Sequence, residues 1–441
     1  MTGLGEAYFP YGKNFYIVQF SAILNSTALR SIHLALAWWI LSITNDPKVF
    51  AIFVGVGTAS DILARGLFGS LGDTYNKQRL ISICYWMSLI STLIIAILST
   101  KNLYIPVLLI LCQAMSGLSI GIREPLQNSI VPSLVRKEQL SNAIQWRTAA
   151  MTIVSFCSPV VGTGLITIIG AQNTICFGVA LTLSSLILLG FYKIEASINR
   201  EKNTARPKWY SGFSTIIRLP PEISLIKITF FMNLGLFPFL GVVLPAFFYQ
   251  NYSKSPWLFG LADVFFSFGM FIGAAKINPL INLKLGRVKA TYWGYLALGF
   301  GILLTAVMCQ ILTTFNLSFF ILLCLGMCLA GSGLTVAVTN TSFMRSAASP
   351  NTYLNRISAS STFSTGIASP LGVFVSGLLL NYFGLYPTLM ILSVILVLAS
   401  LSSFLSVDLR KVLSLPDEEI HGAYSRFYPK AFLKGIKESV D

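Results

Sequence analysis

Asp61 and Arg65 stand four residues apart inside an otherwise apolar run, and Arg123 and Glu124 sit side by side in another. Arg30 and His33, three residues apart, fall in a third such run, and Asp263 in a fourth. A charged side chain at mid-membrane costs about 2.5–3.5 kcal/mol on insertion scales, so it normally faces a cavity or a partner. Such groups can pair, bind a charged solute, or take up and release a proton. Asp61 and Arg65, at i and i+4, share one helix face and can simply neutralise each other. Alternatively Asp61 carries a proton as a cavity alternates, because wet and dry surroundings shift a carboxyl in opposite directions. His33 titrates near neutral pH, which makes it a coupling candidate beside its reading as a structural residue. Arg30 can pair with Asp61 or contact an anionic solute. Arg123 and Glu124, just before Pro125, form an internal ion pair or gate the cavity, with Arg147 among their partners. Asp263 is a further proton-site candidate.

Composition says what must hold these groups. The chain is 54% hydrophobic and only 11% charged, with a mean hydropathy of +0.73, whereas soluble domains carry about a quarter charged residues. A hydrocarbon core about 30 Å thick needs about 20 apolar residues per helix. About twelve such stretches are present, near 14–43, 48–71, 79–99, 103–127, 139–169 and 172–192, then 223–250, 256–283, 288–312, 315–343, 353–380 and 384–406. The N-terminal "MTGLGEAYFPYGKN" lacks a basic stretch followed by a short apolar one, so no cleavable signal is expected.

The net charge of +15 raises the question of a nucleic-acid partner. Its distribution argues against one. With a cytoplasmic N-terminus, about 21 of the 31 Lys and Arg fall in cytoplasmic loops and tails, and only Lys48, Lys101 and Lys254 fall outside. That asymmetry orients membrane helices, and both termini are expected in the cytoplasm. All seven cysteines lie in apolar stretches, where no disulfide is expected. Cys324 and Cys328 share a helix face, but without a nearby His or carboxylate no metal site is expected. The phosphate-cradling Gly-x-x-x-x-Gly-Lys-Ser/Thr is absent, as are Gly-x-Ser-x-Gly, His-Glu-x-x-His and repeated Cys-x-x-Cys. The sequence therefore predicts no enzyme, no cofactor and no use of ATP.

A polar stretch from Lys193 to Glu222, with Pro220 and Pro221, reads as a cytoplasmic linker between two halves. The halves echo each other. "SGLSIGIREPLQNSIVP" from Ser116 parallels "SGLTVAVTNTSFMRSAASP" from Ser332, and "SPVVGTGLI" from Ser158 parallels "SPLGVFVSGLL" from Ser369, at offsets of about 216 and about 211 residues. Parallel repeats of this kind place a solute cavity between the halves. The expected domains are 1–192, a linker 193–222, 223–407 and a cytoplasmic tail 408–441. The tail's "YPKAFLKGIKESVD" either lies on anionic lipid or stays loose.

The loop "GSLGDTYNKQRL", Gly69 to Leu80, resembles the one between spans two and three of the major facilitator superfamily, Gly-x-x-x-Asp-Arg-x-Gly/Asp-Arg-Arg/Lys. Gly69, Asp73, Lys77 and Arg79 match; Thr74 replaces the usual Arg, and Asn76 takes the Gly/Asp place. The resemblance implies a conformational latch there, and Asp73 is expected to accept from the next helix's N-terminus or pair with Arg79. "ALAWWILSITNDP" from Ala35 and "EPLQNSIVPSLVRKEQLSNAIQ" from Glu124 look like the macrolide-type drug and siderophore exporters of that superfamily. "SPNTYLNRISA" from Ser349 is similar to their approach to span eleven, with Arg356 at the basic place. "SPVVGTG" looks like their span-five antiporter motif, Gly-Pro-x-x-Gly-Gly, with Pro159 and Gly162 matching and Ser158 and Thr163 in glycine places. Those exporters often carry an acid near the place of Leu29, which this chain lacks.

The expected fold is therefore an all-α polytopic membrane protein of about twelve transmembrane helices, in two six-helix bundles around a central cavity. The expected function is export of a small amphiphilic molecule, a drug-like compound or siderophore, by alternating access with proton antiport. Its partners would be that solute, protons and membrane lipid, and its place a bacterial inner membrane. An importer of a small solute and a non-transporting sensor or scaffold are the alternatives.

Overall fold

The computed structural model describes residues 11–68, 75–136, 139–192, 211–311 and 316–432. Among these residues all regular structure is helical. Helices α1 (Lys13–Thr44), α2 (Pro47–Phe68), α3 (Lys77–Thr100) and α4 (Pro106–Ile130) each make one span. Helix α5 (Leu140–Gly190) runs for 51 residues, more than twice the length a bilayer needs. It makes two spans because the chain turns a corner at Gly170, with φ 83° and ψ 164°, a region that essentially only glycine occupies.

After a short α6 (Ser211–Ile216), α7 (Pro220–Pro238) continues through a π-helical turn, Phe239–Val243, into α8 (Leu244–Tyr252). Helix α9 (Trp257–Ile272) passes through a second π turn, Gly273–Ile277, into α10 (Asn278–Ile311), which bends at Gly286 with φ 76° and ψ 162°. Helices α11 (Leu317–Ala348), α12 (Asn351–Gly366), α13 (Ala368–Phe383) and α14 (Leu385–Leu405) complete the spans. Ten helical runs are long and apolar enough to cross a membrane. The corners at Gly170 and Gly286 divide two of them, so twelve spans result among the described residues. The eleventh differs from the expected single helix, since α12 and α13 break at Ile367. Pro370 has no N–H to bond back to Gly366, so the ladder is interrupted there.

Contacts divide the chain into two compact units, Met1–Arg200 with Pro245–Val264, and Glu201–Leu244 with Phe265–Asp441. In the first, α1 packs along α5, α2 along α4, and α3 against both α4 and α5. In the second, α10 packs on α11 and α14, and α7 on α13 and α14. Helices in lipid gain little from burying apolar surface against each other, so close approach of small residues carries the packing. Gly294 and Gly333 show this: a methyl on either would press into the other's backbone. Outward positions are apolar instead, as at Ile168, Leu283 and Leu405, each at least 80% exposed, and these suit hydrocarbon. Buried hydroxyls bond within their own helices, Thr182 to the Gly178 carbonyl at 3.0 Å and Thr305 to that of Gly301 at 3.0 Å. The chain is a multi-pass integral membrane protein.

Beyond the last span, α15 (Val407–Leu413), α16 (Asp417–Ile420) and α17 (Ala423–Phe427) fold back onto the second unit. The Gly422 N–H donates to the Ala347 carbonyl at 3.0 Å. Arg218 donates to the Lys430 carbonyl at 3.3 Å, and the Tyr353 and Phe432 rings meet edge to face at 5.1 Å. Through Phe432 the tail is thus docked on protein, where the sequence left it loose or on lipid. Residues 193–210 of the expected linker and 433–441 of the tail lie outside the described residues.

Candidate functional site

Asp61 and Arg65 lie on α2 one turn apart, and the pairing expected of i and i+4 is present with both carboxylate oxygens engaged. Arg65 Nε donates to Asp61 Oδ1 at 2.8 Å and Arg65 Nη2 to Asp61 Oδ2 at 3.1 Å. The guanidinium has a second carboxylate as well: Arg65 Nη2 donates to Glu124 Oε2, on α4, at 2.7 Å. Two acids thus share one base, and the triad carries one net negative charge when both are ionised.

Glycine on α4 makes the triad possible. A methyl at Gly117 would collide with the Gly57 carbonyl, and one at Gly121 with the Asp61 carbonyl and the Ala64 side chain. The two helices therefore meet backbone to backbone at the level of Asp61, and Glu124, three residues beyond Gly121, comes within reach of Arg65. The "SGLSIG" stretch was legible as half of a repeat; its part in bringing Glu124 to Arg65 was not.

Arg123, next to Glu124, points elsewhere. Its guanidinium lies over the Tyr85 ring at 5.5 Å, within electrostatic reach of Asp61. It is 3% exposed, and its Nε and Nη1 have no hydrogen-bond partner among the described residues. Gln127, one turn on, donates to the Tyr85 hydroxyl at 3.0 Å and so fixes that ring. Arg147, on α5, donates to Asn128 Oδ1 and leaves its buried Nε without a partner. Arg30, on α1, donates to the Ser155 hydroxyl at 3.5 Å.

These side chains open onto one cavity of about 410 Å³, lined by Arg30, Arg123, Glu124 and Arg147 with Gln127 and Ser155 among its polar groups. Leu29, Ile120, Met151 and Val154 supply its apolar wall. Three guanidinium groups face one carboxylate, and that carboxylate is already bonded to Arg65. Arg30 belongs to this wall and not to Asp61, whose two oxygens are taken by Arg65. His33 is half-buried with its ring 6.4 Å from that of Phe50, and Arg30 is the charge acting on it. Asp263 is half-buried in the Pro245–Val264 stretch of the same unit, and the Arg30 charge reaches it too.

A counterpart of the triad occurs in the second unit, at the repeat offset of about 216 residues, with all charge removed. Asn278 and Asn282, one turn apart on α10, meet Asn340 of α11. Asn282 Nδ2 donates to Asn278 Oδ1 at 3.2 Å and to Asn340 Oδ1 at 2.9 Å, and Asn340 Nδ2 donates to Asn278 Oδ1 at 2.8 Å. The signal was in the sequence: the offset relating Ser116 to Ser332 carries Asp61, Arg65 and Glu124 onto, or to within one residue of, these asparagines. Titratable chemistry at these positions is thus confined to the first unit.

Of the expected latch, Gly69 and Asp73 lie outside the described residues. Lys77 Nζ donates to the Ser129 carbonyl at 2.9 Å, which ties the start of α3 to the end of α4. The N-terminus of α3 is capped by Asn76, whose Oδ1 accepts from the N–H groups of Gln78 at 2.9 Å and Arg79 at 3.2 Å. Asn76, which stands at the Gly/Asp place of the motif, thus supplies a cap for this helix.

The span-five motif packs as its small residues suggest. Beside Pro159, a methyl on Gly162 would sit 3.1 Å from the Ser31 Cα and from Leu34 Cδ1, so α5 and α1 nearly touch. Thr163, in a glycine place of the motif, bonds the Pro159 carbonyl at 2.7 Å. The space for its hydroxyl comes from the facing residue, Gly260, where a methyl would collide with Thr163 Oγ1. Gly260→Ala is accordingly expected to cost about 1–3 kcal/mol by overpacking. Thr163→Gly in the same chain should recover most of that loss. Thermal unfolding of the purified single and double variants checks the pair, and additive effects would show that the two positions do not interact.

A family model described as the Major Facilitator Superfamily matches residues 17–301. The Staphyloferrin A transporter of Staphylococcus aureus (strain NCTC 8325 / PS 47) is 22% identical over 279 residues, 61% of this chain and 68% of its own. Among solved structures, a bacterial homologue of the iron transporter ferroportin, in an inward-facing state, is similar with a TM-score of 0.72 at 15% identity over 91% of this chain and 99% of that one. The nucleoside transporter NupG gives a TM-score of 0.68 at 14% identity, covering 89% and 99%. At such identities these likenesses speak for the fold alone.

Proposed function

The chain belongs to the Major Facilitator Superfamily, and from that premise we propose that it is a proton-coupled secondary transporter that exports a small amphiphilic solute of the siderophore or drug class. A member of this superfamily is a transporter and not an enzyme. The observation that carries the coupling is the triad. Asp61 and Glu124 share Arg65, so one proton neutralises the cluster without disbanding it. Glu124 is the member open to the cavity, with its side chain 49% exposed; Asp61 is held through both oxygens. The cavity among α1, α4 and α5 is the solute site in this reading, with apolar and polar walls of the kind ligand pockets have. The close packing of the Pro159–Thr163 turn on α1 and Gly260 supports the antiporter reading of span five, and with it the outward direction. The cytoplasmic termini and the bacterial inner membrane belong to the same proposal.

Uptake by proton symport is a second reading with an observation of its own. A proton on Glu124 removes a negative charge from a wall that holds three arginines, which would favour an anionic solute and a proton entering together. Accumulation of labelled siderophores, macrolides and dyes in a pump-deficient bacterium, with and without a protonophore, separates the two. Lower accumulation of one class that a protonophore reverses is the result expected for export. Higher accumulation, abolished by the protonophore, would establish uptake. No change for any solute would overturn both.

A further inference from the structure

We propose that the solute is an oxyanion, a compound bearing at least two carboxylates, held in the α1–α4–α5 cavity by Arg123 and Arg147 with Arg30 at the rim. The inference rests on the reading of this cavity as the solute site and holds for either direction of transport. Two guanidinium groups in the wall of this cavity have buried donors without acceptors among the described residues. Arg123 is 3% exposed, yet two of its three nitrogens lack an acceptor. The Tyr85 ring, 5.5 Å from the guanidinium carbon, stabilises the charge, but it leaves the N–H donors, which point outward in the guanidinium's own plane, without acceptors. Arg147 repeats the pattern, with one bond to Asn128 and a buried Nε without a partner. A buried charged group with unmet donors is costly, and proteins hold such a group where a ligand completes it.

The carboxylate already present does not complete it, because Glu124 is bonded to Arg65. Among the described residues Arg30 bonds the Ser155 hydroxyl at 3.5 Å, with Asp263 acting on it electrostatically. The wall thus presents three positive charges against one negative. The planar fork of a guanidinium matches the two oxygens of a carboxylate, so Arg123 and Arg147 together call for two such groups on one molecule. Leu29, Ile120, Met151 and Val154 would contact the carbon skeleton between them. A volume of about 410 Å³ falls in the range that takes a drug-sized ligand and excludes a peptide or polymer.

The test uses the full-length protein in nanodiscs of uncharged lipid. Binding of citrate, of its neutral triethyl ester, of inorganic phosphate and of a cationic dye is measured by titration calorimetry and by ligand-induced shifts in unfolding temperature. Citrate is expected to bind, and to bind more weakly as salt rises, with the ester and the dye at least about tenfold weaker. Arg123→Gln and Arg147→Gln should each weaken citrate at least about tenfold, with Arg123→Lys between wild type and Gln because it keeps the charge and loses the fork. A second readout guards against a misfolded variant. With no ligand present, Arg123→Gln should unfold at the same or a higher temperature than the wild type, because it removes a buried unpaired charge. A lower temperature would mean that Arg123 is a structural residue and would overturn the proposal. So would equal binding of citrate and its ester, no response to citrate, or a preference for the dye. Preference for phosphate would overturn the carboxylate class. Citrate binding that depends on the arginines, in a chain that moves no solute across a membrane, would uphold this inference and overturn the transport reading.

Discussion

Asp61→Asn is expected to abolish proton-driven transport while leaving the protein folded, inserted and able to exchange solute down its gradient. The substitution keeps the size of the side chain and an oxygen for Arg65 Nε, now at 2.8 Å from Asp61 Oδ1, so α2 and α4 should stay together. What it removes is the negative charge that lets the triad hold one proton. The remaining Arg65–Glu124 pair is neutral and bonded at 2.7 Å, and protonating Glu124 would leave Arg65 without a counter-ion. Glu124→Gln should act in the same direction, since Asp61 and Arg65 then form a closed neutral pair. Arg65→Ala is predicted to be worse for the fold itself, because it leaves two facing carboxylates without their base. Breaking a buried pair in this way costs about 3–5 kcal/mol, and the partial exposure of these side chains places the effect at the lower end. The measurement is transport into or out of proteoliposomes under an imposed pH gradient, beside counterflow of labelled solute without one. Full pH-driven transport in both Asp61→Asn and Glu124→Gln would remove the triad from coupling. Loss of counterflow as well would show that the substitutions disturb the solute cavity instead.

The second large effect concerns stability at the end of the second unit where the tail docks. Glu222, in the first turn of α7, is fully buried, and two side chains converge on it. Arg345, in the last turn of α11, donates through Nε to Oε2 at 3.0 Å and through Nη2 to Oε2 at 2.9 Å. The Tyr424 hydroxyl from α17 donates to Oε1 at 2.9 Å. Arg345 also donates to the Ser361 hydroxyl at 2.7 Å, so the node joins α7, α11, α12 and the tail. Glu222→Ala leaves a guanidinium and a phenol buried without their acceptor and should cost about 3–5 kcal/mol. Tyr424→Phe removes one donor while Arg345 still serves Glu222, and should cost about 1 kcal/mol. Thermal unfolding of the two variants gives the ranking, and equal costs would mean that packing of the Tyr424 ring, not the charge, holds the tail.

Burial, with the Glu222 carboxylate beside it, raises the Tyr424 phenol well above its ordinary 10.0. A group whose folded pKa is raised binds its proton more tightly when folded, so its contribution is complete below about pH 10 and declines as pH rises through the folded value. Wild type should therefore lose stability at strongly alkaline pH more steeply than Tyr424→Phe. Matching alkaline profiles for the two would refute that link.

Much of this was readable before any coordinates. The number of spans follows from where apolar runs are long enough to cross a bilayer, and twelve were visible where continuous helices show only ten. The apolar runs end at polar residues and glycines, and Gly170 and Gly286 turn the chain at two of those ends. The Asp61–Arg65 pair was legible too, because four residues on a helix fix a neighbour whatever the rest of the fold does.

Contacts between helices were not legible, since no spacing rule relates α2 to α4. That Glu124 closes a triad on Arg65, and not a pair with Arg123, depends on which face of α4 carries Gly117 and Gly121 and on how closely α2 can then approach. The same holds for Thr163 against Gly260 and for the tail that reaches back to Glu222. The sequence by itself determined that the chain lies in a membrane, how often it crosses, and which rare charges it places there, because hydrophobic length and helical period are local properties. Only the tertiary structure decided which of those charges meet and which are left facing a cavity, because that turns on side chains brought together from runs far apart in the chain.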